Sequence, residues 1–394
     1  MKIGVFNDFF YPKITGGTEL FLKELCKYLE ENGFEITLFI SNQVKGQTGY
    51  KTYKIRSSPF LYKHMQQIPG VTLPWLAFNN SLKEKLKKII IKKENIDVAY
   101  LNNIYHLSFA PIQAALELKK PTILDAHDYW PICFAKDKYK DNKKICRQEE
   151  NWRCSLCLMK KFGFPSPLTI PGLYLEKTIK RSLIKRVGKI IVHSNFVKER
   201  FKENGLNPEV IYYPFFGNIY KKTKKDDNAF RILFVGRVDK HKGADLTLKV
   251  AKLLKTKEVK FRIDVVGTGS LNKYLNSKDL NIYAHGFMGE ERFELFKKAD
   301  CLLAPSRWPE PFGIVALEAM AYELPIVTLD KSAGLVETVK KNHVGIISTE
   351  ERIGEDILKI KENIKEFRRN CRKGIKNYDK KIIFKKYKKL FESL

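Results

Sequence analysis

The chain has 394 residues, a formal net charge of +29 and 44% hydrophobic residues. That length suits two domains better than one core, and the apolar content excludes a wholly disordered chain. No apolar run reaches the roughly eighteen residues a spanning helix needs, and the lysine excess is spread along the sequence rather than gathered in one arm.

The first residues, MKIGVFNDFF, read as a strand, KIGVF (2–6), and not as a secretory leader, because a single lysine and the early Asp8 break that pattern. A cytoplasmic protein is expected, peripheral at the inner face of the cell membrane if it meets a membrane at all. Gly16 and Gly17 precede Thr18 and Glu19 and the amphipathic run TELFLKELCKYLEENG (18–33), a helix start that lets backbone N–H groups approach a polar or anionic ligand. Strands follow at EITLFI (35–40), VAYL (98–101), PTILDA (121–126) and KIIVHS (189–194). Between them, PFLYKHMQQIPGVTLPWLAFNN (59–80) is aromatic and apolar, and SLKEKLKKIIIKK (81–93) carries six lysines. Together they suit a membrane-contacting or lipid-acceptor surface, or a loop packed on the core beside a solvated helix. A second basic amphipathic run, EKTIKRSLIKRVGK (176–189), admits the same alternatives: a solvated face, an anionic membrane, nucleic acid, or steering of a phosphorylated substrate.

Four of the seven cysteines fall between residues 130 and 160, with the spacing C-x12-C-x7-C-x2-C: Cys133, Cys146, Cys154 and Cys157. In a reducing compartment such a cluster suits a structural metal, tetrahedral thiolate zinc first and an iron–sulfur cluster second. Unligated thiols or disulfides are the other readings. The segment is expected to be an insertion in the first domain.

The alternation of strand and helix breaks at YYPFFGNIYKKTKKDDN (212–228) and restarts at RILFVG (231–236). A boundary there gives an N-terminal domain over 1–215, a C-terminal domain over 216–365 and a basic helical segment over 366–394. Further strands are read at FRIDVVG (261–267), 282–286, CLLAP (301–305), PIVTL (325–329) and VGII (344–347), with helices at 244–256 and 289–300. Strands alternating with helices imply parallel sheets covered on both faces. The expected class is α/β, two Rossmann-like domains facing each other across a cleft, each binding ligand beyond its strand ends.

Candidate chemistry concentrates in the second domain. Gly236 and Arg237 follow its first strand, and Lys242 comes five residues after Arg237. A forked and a point cation there suit a diphosphate. Val266-Gly267-Thr268-Gly269 closes another strand with a small glycine turn. In EPFGIVALEAM, Glu310 and Glu318 stand eight positions apart, about 12 Å if the stretch were helical. They could grip two parts of one elongated ligand. Pro309 and Pro311 force a loop, so a helix starts near Phe312-Gly313-Ile314-Val315 with open N–H groups and a positive dipole end. Glu310 on a sugar, the helix start on phosphate and Glu318 on ribose hydroxyls would match a nucleotide sugar.

This string resembles the E-x7-E motif of the retaining glycosyltransferases of family 4, which have the GT-B fold. Gly16-Gly17 match the family's N-terminal glycine loop, Arg237 and Lys242 its phosphate-binding pair, and Gly334-Leu335-Val336-Glu337 its glycine-turn-then-glutamate segment. Ala333 and Glu323 stand where the family commonly has glycine. The resemblance implies that His127, in LDAHDYWPIC, lies near the donor sugar. It implies transfer of a glycosyl unit from a UDP- or GDP-sugar with retention, without a catalytic metal, by a front-face path in which the leaving phosphate helps deprotonate the acceptor. His127 and Glu310 would position and stabilise the sugar, and domain closure would exclude water. The acceptor implied is a glycan or lipid-linked chain of the cell envelope. A soluble sugar acceptor is the nearest rival. A basic nucleic-acid-binding protein is a rival of another class, disfavoured by the lack of any recognition-helix or RRM pattern.

Overall fold

The computed structural model describes residues 1–13, 16–56, 77–140, 144–147, 149–162, 170–220 and 228–394. The aromatic stretch 59–76 and the linker residues 221–227 lie outside them. The chain divides into two compact units. One comprises Met1–Asp141, Cys146–Ile211 and Ile383–Leu394, the other Asn142–Ile145 and Tyr212–Ile382.

The first unit is built on seven parallel strands. They are β1 (Lys2–Asn7), β2 (Glu35–Ser41), β3 (Lys51–Ile55), β4 (Val98–Leu101), β5 (Thr122–Asp125), then β8 (Lys189–Val192) and β9 (Glu209–Val210), in the order β3-β2-β1-β4-β5-β8-β9. Two short strands, β6 (Tyr139–Lys140) and β7 (Lys144–Ile145), fall between β5 and β8 in the chain. Residues of β4 and β5 are buried throughout, and those of β1 from Ile3 on, as expected for parallel strands covered on both faces. The amphipathic helix Gly17–Glu31 buries Phe21, Leu22, Leu25, Cys26 and Leu29. The end of the chain also belongs here. Phe384 and Tyr387 pack their rings on Phe21, and Phe391 packs on Tyr100 and Phe34.

In the second unit, six parallel strands run in the order β12-β11-β10-β13-β14-β15. These are β10 (Phe230–Val235), β11 (Phe261–Val266), β12 (Ile282–Gly286), β13 (Cys301–Ala304), β14 (Ile326–Leu329) and β15 (Gly345–Ser348). Its core joins β-branched residues of these strands, such as Ile232, Ile263, Val265 and Val327, to Val250 and Leu254 of helix Leu246–Thr256 and to Ile353, Ile357 and Ile360. In each sheet the first strand of the unit lies between its successors on either side, so the strand order reverses there. Such switch points open a crevice beyond the carboxyl ends of two neighbouring strands. The crevices are those of β1 and β4 in the first unit and of β10 and β13 in the second.

Two sequence expectations shift in detail. Glycine comes later than Phe312 in setting the start of the motif helix, which spans Ile314–Ala321 with Gly313 as a left-handed N-cap. The basic runs are less open than their composition suggests. Lys83 and Lys87 pair with Glu117 at 2.8 and 3.0 Å, and Lys180 is buried against Glu150. Among the described residues no helix is long and apolar enough to cross a membrane.

Candidate active site

At the switch point of the second unit, the loop after β10 carries Gly236, Arg237 and Lys242, and the loop after β13 carries Glu310. Small residues let these loops meet. A Cβ on Gly243, which has φ +70°, would fall 2.0 Å from the Pro305 carbonyl oxygen, and one on Gly267 would fall 1.9 Å from that of Gly236. Only glycine tolerates both the positive φ and the close approach. Arg307 then fastens the loop: its backbone N–H donates to the His241 carbonyl, and its guanidinium grips Asp245 and Glu350 at 2.6–3.0 Å.

Within this frame Lys242 Nζ donates to Glu310 Oε1 at 2.8 Å, and it lies 5.1 Å from the Trp308 ring centre. Arg237 is two-thirds exposed, 3.7 Å from Asp239. Glu318, on the 314–321 helix, accepts from Arg292 at 2.9 Å. Burial raises its pKa, and Arg292 opposes that. The Glu310 carbonyl accepts from the N–H of Gly334, which joins the glutamate loop to the start of helix Gly334–Asn342. Glu337 of that helix accepts from the Tyr212 hydroxyl at 2.8 Å. The two positions that depart from the family pattern, Ala333 and Glu323, both have positive φ, +48° and +55°. The backbone conformation that glycine adopts freely is therefore kept there by residues with a side chain.

The first unit assembles a different kind of site. At the carboxyl end of β5, Asp125 Oδ2 accepts from the hydroxyls of Tyr100 and Tyr387 at 2.6 and 2.8 Å. His193 Nε2 lies 3.0 Å from both Asp125 Oδ1 and His127 Nδ1. His193 Nδ1 faces the Ile211 carbonyl at 2.8 Å and so carries the proton of that contact. His127 Nε2 meets Asn102 Oδ1 at 2.9 Å. Burial pushes His127 down to about 3. Burial works to raise Asp125, but the two histidines and Tyr100 overcome it and hold the carboxyl at about 2. These three side chains form the one group of its kind among the described residues in which histidine, cysteine and acidic donors lie within 4.8 Å of one another. Hydrogen bonds already account for that spacing. The sequence picked out His127 here, and the structure engages both of its ring nitrogens inside the unit.

Beside it, at the β1–β4 switch point, lies a cavity of about 150 Å³ lined by Asp8, Glu19, His106, Asp128, Trp130 and Lys136 among others. Asp8 Oδ1 accepts from the backbone N–H groups of His106 and Leu107 at 2.9 and 3.2 Å. Burial nevertheless raises Asp8 to about 8 and lowers His106 to about 4. Glu19 Oε2 accepts from Gly16 N–H at 2.8 Å, which fixes the predicted glycine turn at the helix start. Sequence reading passed over Asp8, Asp125, Asp128, His193 and Arg292. The first four follow or end strands that were recognised, and a polar residue at the carboxyl end of a buried parallel strand was the available signal. Arg292 carried none.

None of the seven cysteines is in a disulfide. Asn151 N–H approaches Cys154 Sγ at 3.4 Å, and Cys146 N–H donates to the Lys138 carbonyl. Among the described residues the four cysteines of the 130–160 segment do not form a group whose donor atoms all lie within 4.8 Å of one another, although Cys146 and Cys157 both act electrostatically on Cys154. What holds this segment is the buried pair Lys180–Glu150 at 2.6 Å, with Lys180 also donating to the Trp130 carbonyl.

Two parallel-sheet α/β units, each with a polar site beyond its central strands, have the architecture of the GT-B class of glycosyltransferases. Residues 15–214 match the model for Glycosyltransferase Family 4 and residues 216–378 that for Glycosyl transferases group 1, and the chain belongs to this family. It is 26% identical over its whole length to an uncharacterized glycosyltransferase of Methanocaldococcus jannaschii, covering 99% of it. It is 24% identical to the lipopolysaccharide 1,2-N-acetylglucosaminetransferase of Salmonella typhimurium, over 72% of this chain and 80% of that one. Its fold is similar to that of Anabaena HepE in complex with UDP, with a TM-score of 0.69, 18% identity and full coverage of both chains. HepE has also been solved with UDP-glucose.

Proposed function

We propose that the protein transfers a sugar, with retention, from a nucleotide-sugar donor held by the second unit to a glycan or lipid-linked acceptor held by the first. The observation that carries this reading is the Lys242–Glu310 pair at the β10–β13 switch point, beside exposed Arg237 and ahead of the 314–321 helix start. A diphosphate entering there takes Lys242 and Arg237 as partners, and Glu310 is released to accept from sugar hydroxyls. As the glycosidic bond breaks, charge grows on the leaving diphosphate, and cations already in place lower that barrier. Glu318, braced by Arg292, meets the ribose hydroxyls. His127 is a positioning residue: through Asn102 and His193 it holds the end of β5. The bound nucleotide of HepE supports a UDP-sugar, and the lipopolysaccharide enzyme among the relatives supports an envelope acceptor.

A melting-temperature panel of UDP-, GDP- and ADP-sugars tests the donor. One class should raise the transition by several degrees at saturating ligand, and a flat panel sinks the donor site. Proton NMR of the product reads the anomeric configuration, and an inverted linkage would remove the retaining part. Flotation with anionic liposomes at low salt tests the lipid-linked acceptor, and protein left at the bottom would restrict the enzyme to soluble acceptors.

A further inference from the structure

The cavity of the first unit deepens that reading, because its chemistry selects among acceptors. At about 150 Å³ it has room for one sugar ring and lies below the 300–1,000 Å³ usual for drug-sized ligands. Three carboxyl groups line it, Asp8, Glu19 and Asp128, against a single ammonium, Lys136. That ammonium is 3.6 Å from the Tyr105 ring centre and is stabilised there by the ring face. Asp128 Oδ1 accepts from the Trp130 backbone N–H at 2.7 Å. An independent feature points to a missing ligand. Trp130 is 6% exposed and lines the cavity, and its indole Nε1–H has no hydrogen-bond partner among the described residues. A buried donor left unpaired is costly, and its natural complement is an oxygen that accepts.

We infer that this cavity binds the acceptor as an uncharged sugar, with hydroxyls donating to the Asp128 and Glu19 carboxylates and a ring or hydroxyl oxygen accepting from Trp130. A polyol can do both, since each hydroxyl donates once and accepts twice. The anionic group of a sugar phosphate or uronate cannot. It brings acceptors only, into a low-dielectric site where the Glu19 and Asp128 carboxyls outnumber the Lys136 cation, and like charges a few ångströms apart repel strongly there. The aromatic faces of Trp130 and Tyr105 add contact area for the C–H face of a pyranose.

The inference rests on the glycosyltransferase reading for the word acceptor, and its test separates the two. The full-length protein is titrated by saturation-transfer NMR and calorimetry with methyl glycosides of glucose, galactose, mannose and N-acetylglucosamine, with the matching uronides and 6-phosphates, and separately with UDP. At least one neutral glycoside should bind, and its acidic counterpart should bind at least tenfold more weakly. Asp128→Asn should narrow that gap, an effect that mere loosening of the fold would not produce. Trp130→Phe, which keeps an aromatic face and removes the N–H, should weaken the neutral glycoside about tenfold. A uronide or phosphate binding as tightly as its neutral partner overturns the proposal. So does the absence of any neutral glycoside signal in protein that binds UDP. Failure of UDP alone counts against the donor site and leaves the cavity's sugar binding standing on its own data.

Discussion

The two switch-point sites differ in how they manage charge. In the second unit the charged side chains are partly buried and held in pairs, Lys242 with Glu310 and Glu318 with Arg292. A ligand that brings its own charge and hydroxyls can replace one partner of such a pair without leaving the other unpaired. In the first unit the charges are buried, and the interior decides protonation. Asp8 is raised, His127 and His106 are lowered, and Asp125 is held low against its burial by the two histidines and Tyr100. The first kind of site suits a donor that is bound, split and released. The second suits a fixed cradle whose selectivity comes from what it refuses.

The comparison is broken most severely at Lys180. Lys180→Met leaves Glu150 buried without its partner and should cost about 3–5 kcal/mol of unfolding free energy, read from urea midpoints. The double change with Glu150→Leu should recover most of it, and a single variant as stable as the parent would show that burial does not govern this unit. On the other side, Lys242→Ala should lower the transfer rate about 10²–10³-fold and weaken UDP binding, yet shift the melting temperature by only a degree or two. Loss of fold together with activity would make the two sites alike after all.

Asp8→Asn sharpens the contrast through pH. The native pKa of about 8 lies above the ordinary 3.8, so the native state holds this proton more tightly than the unfolded chain. The associated stability is full below about pH 4 and is lost as pH rises through 8. Asparagine keeps the Oδ1 acceptor for His106 and Leu107 and cannot ionise. Its melting temperature relative to the parent should therefore rise by a few degrees between pH 5 and pH 9, and parallel curves would contradict the assignment. The smallest effect is expected from Ala333→Gly. It relieves the positive φ at the start of helix Gly334–Asn342 and should add about 1 kcal/mol, visible as a higher melting temperature with unchanged transfer.

Much of the second site was legible in the sequence because its residues sit in short contiguous strings. The Glu310–Glu318 spacing, the prolines that force the loop, and Arg237 and Lys242 after a restarted strand all follow from local rules. Arg292 was not legible, since nothing local in a helix marks the side chain that will meet Glu318 from 26 positions away. The first site was legible only at Gly16-Gly17 and His127.

The sequence by itself determined two parallel α/β sheets, most of their strands though not the short β3 and β9, and the cations after β10, because hydrophobic period, turn residues and charge are properties of neighbours along the chain. Tertiary structure alone decided that Tyr387, 262 residues from Asp125, closes the histidine network. It likewise decided that Asp8, Asp128 and Trp130 share one cavity. Each of these depends on which strand ends lie side by side and how deeply they are buried. Sheet order and packing fix both, and spacing along the chain does not encode them.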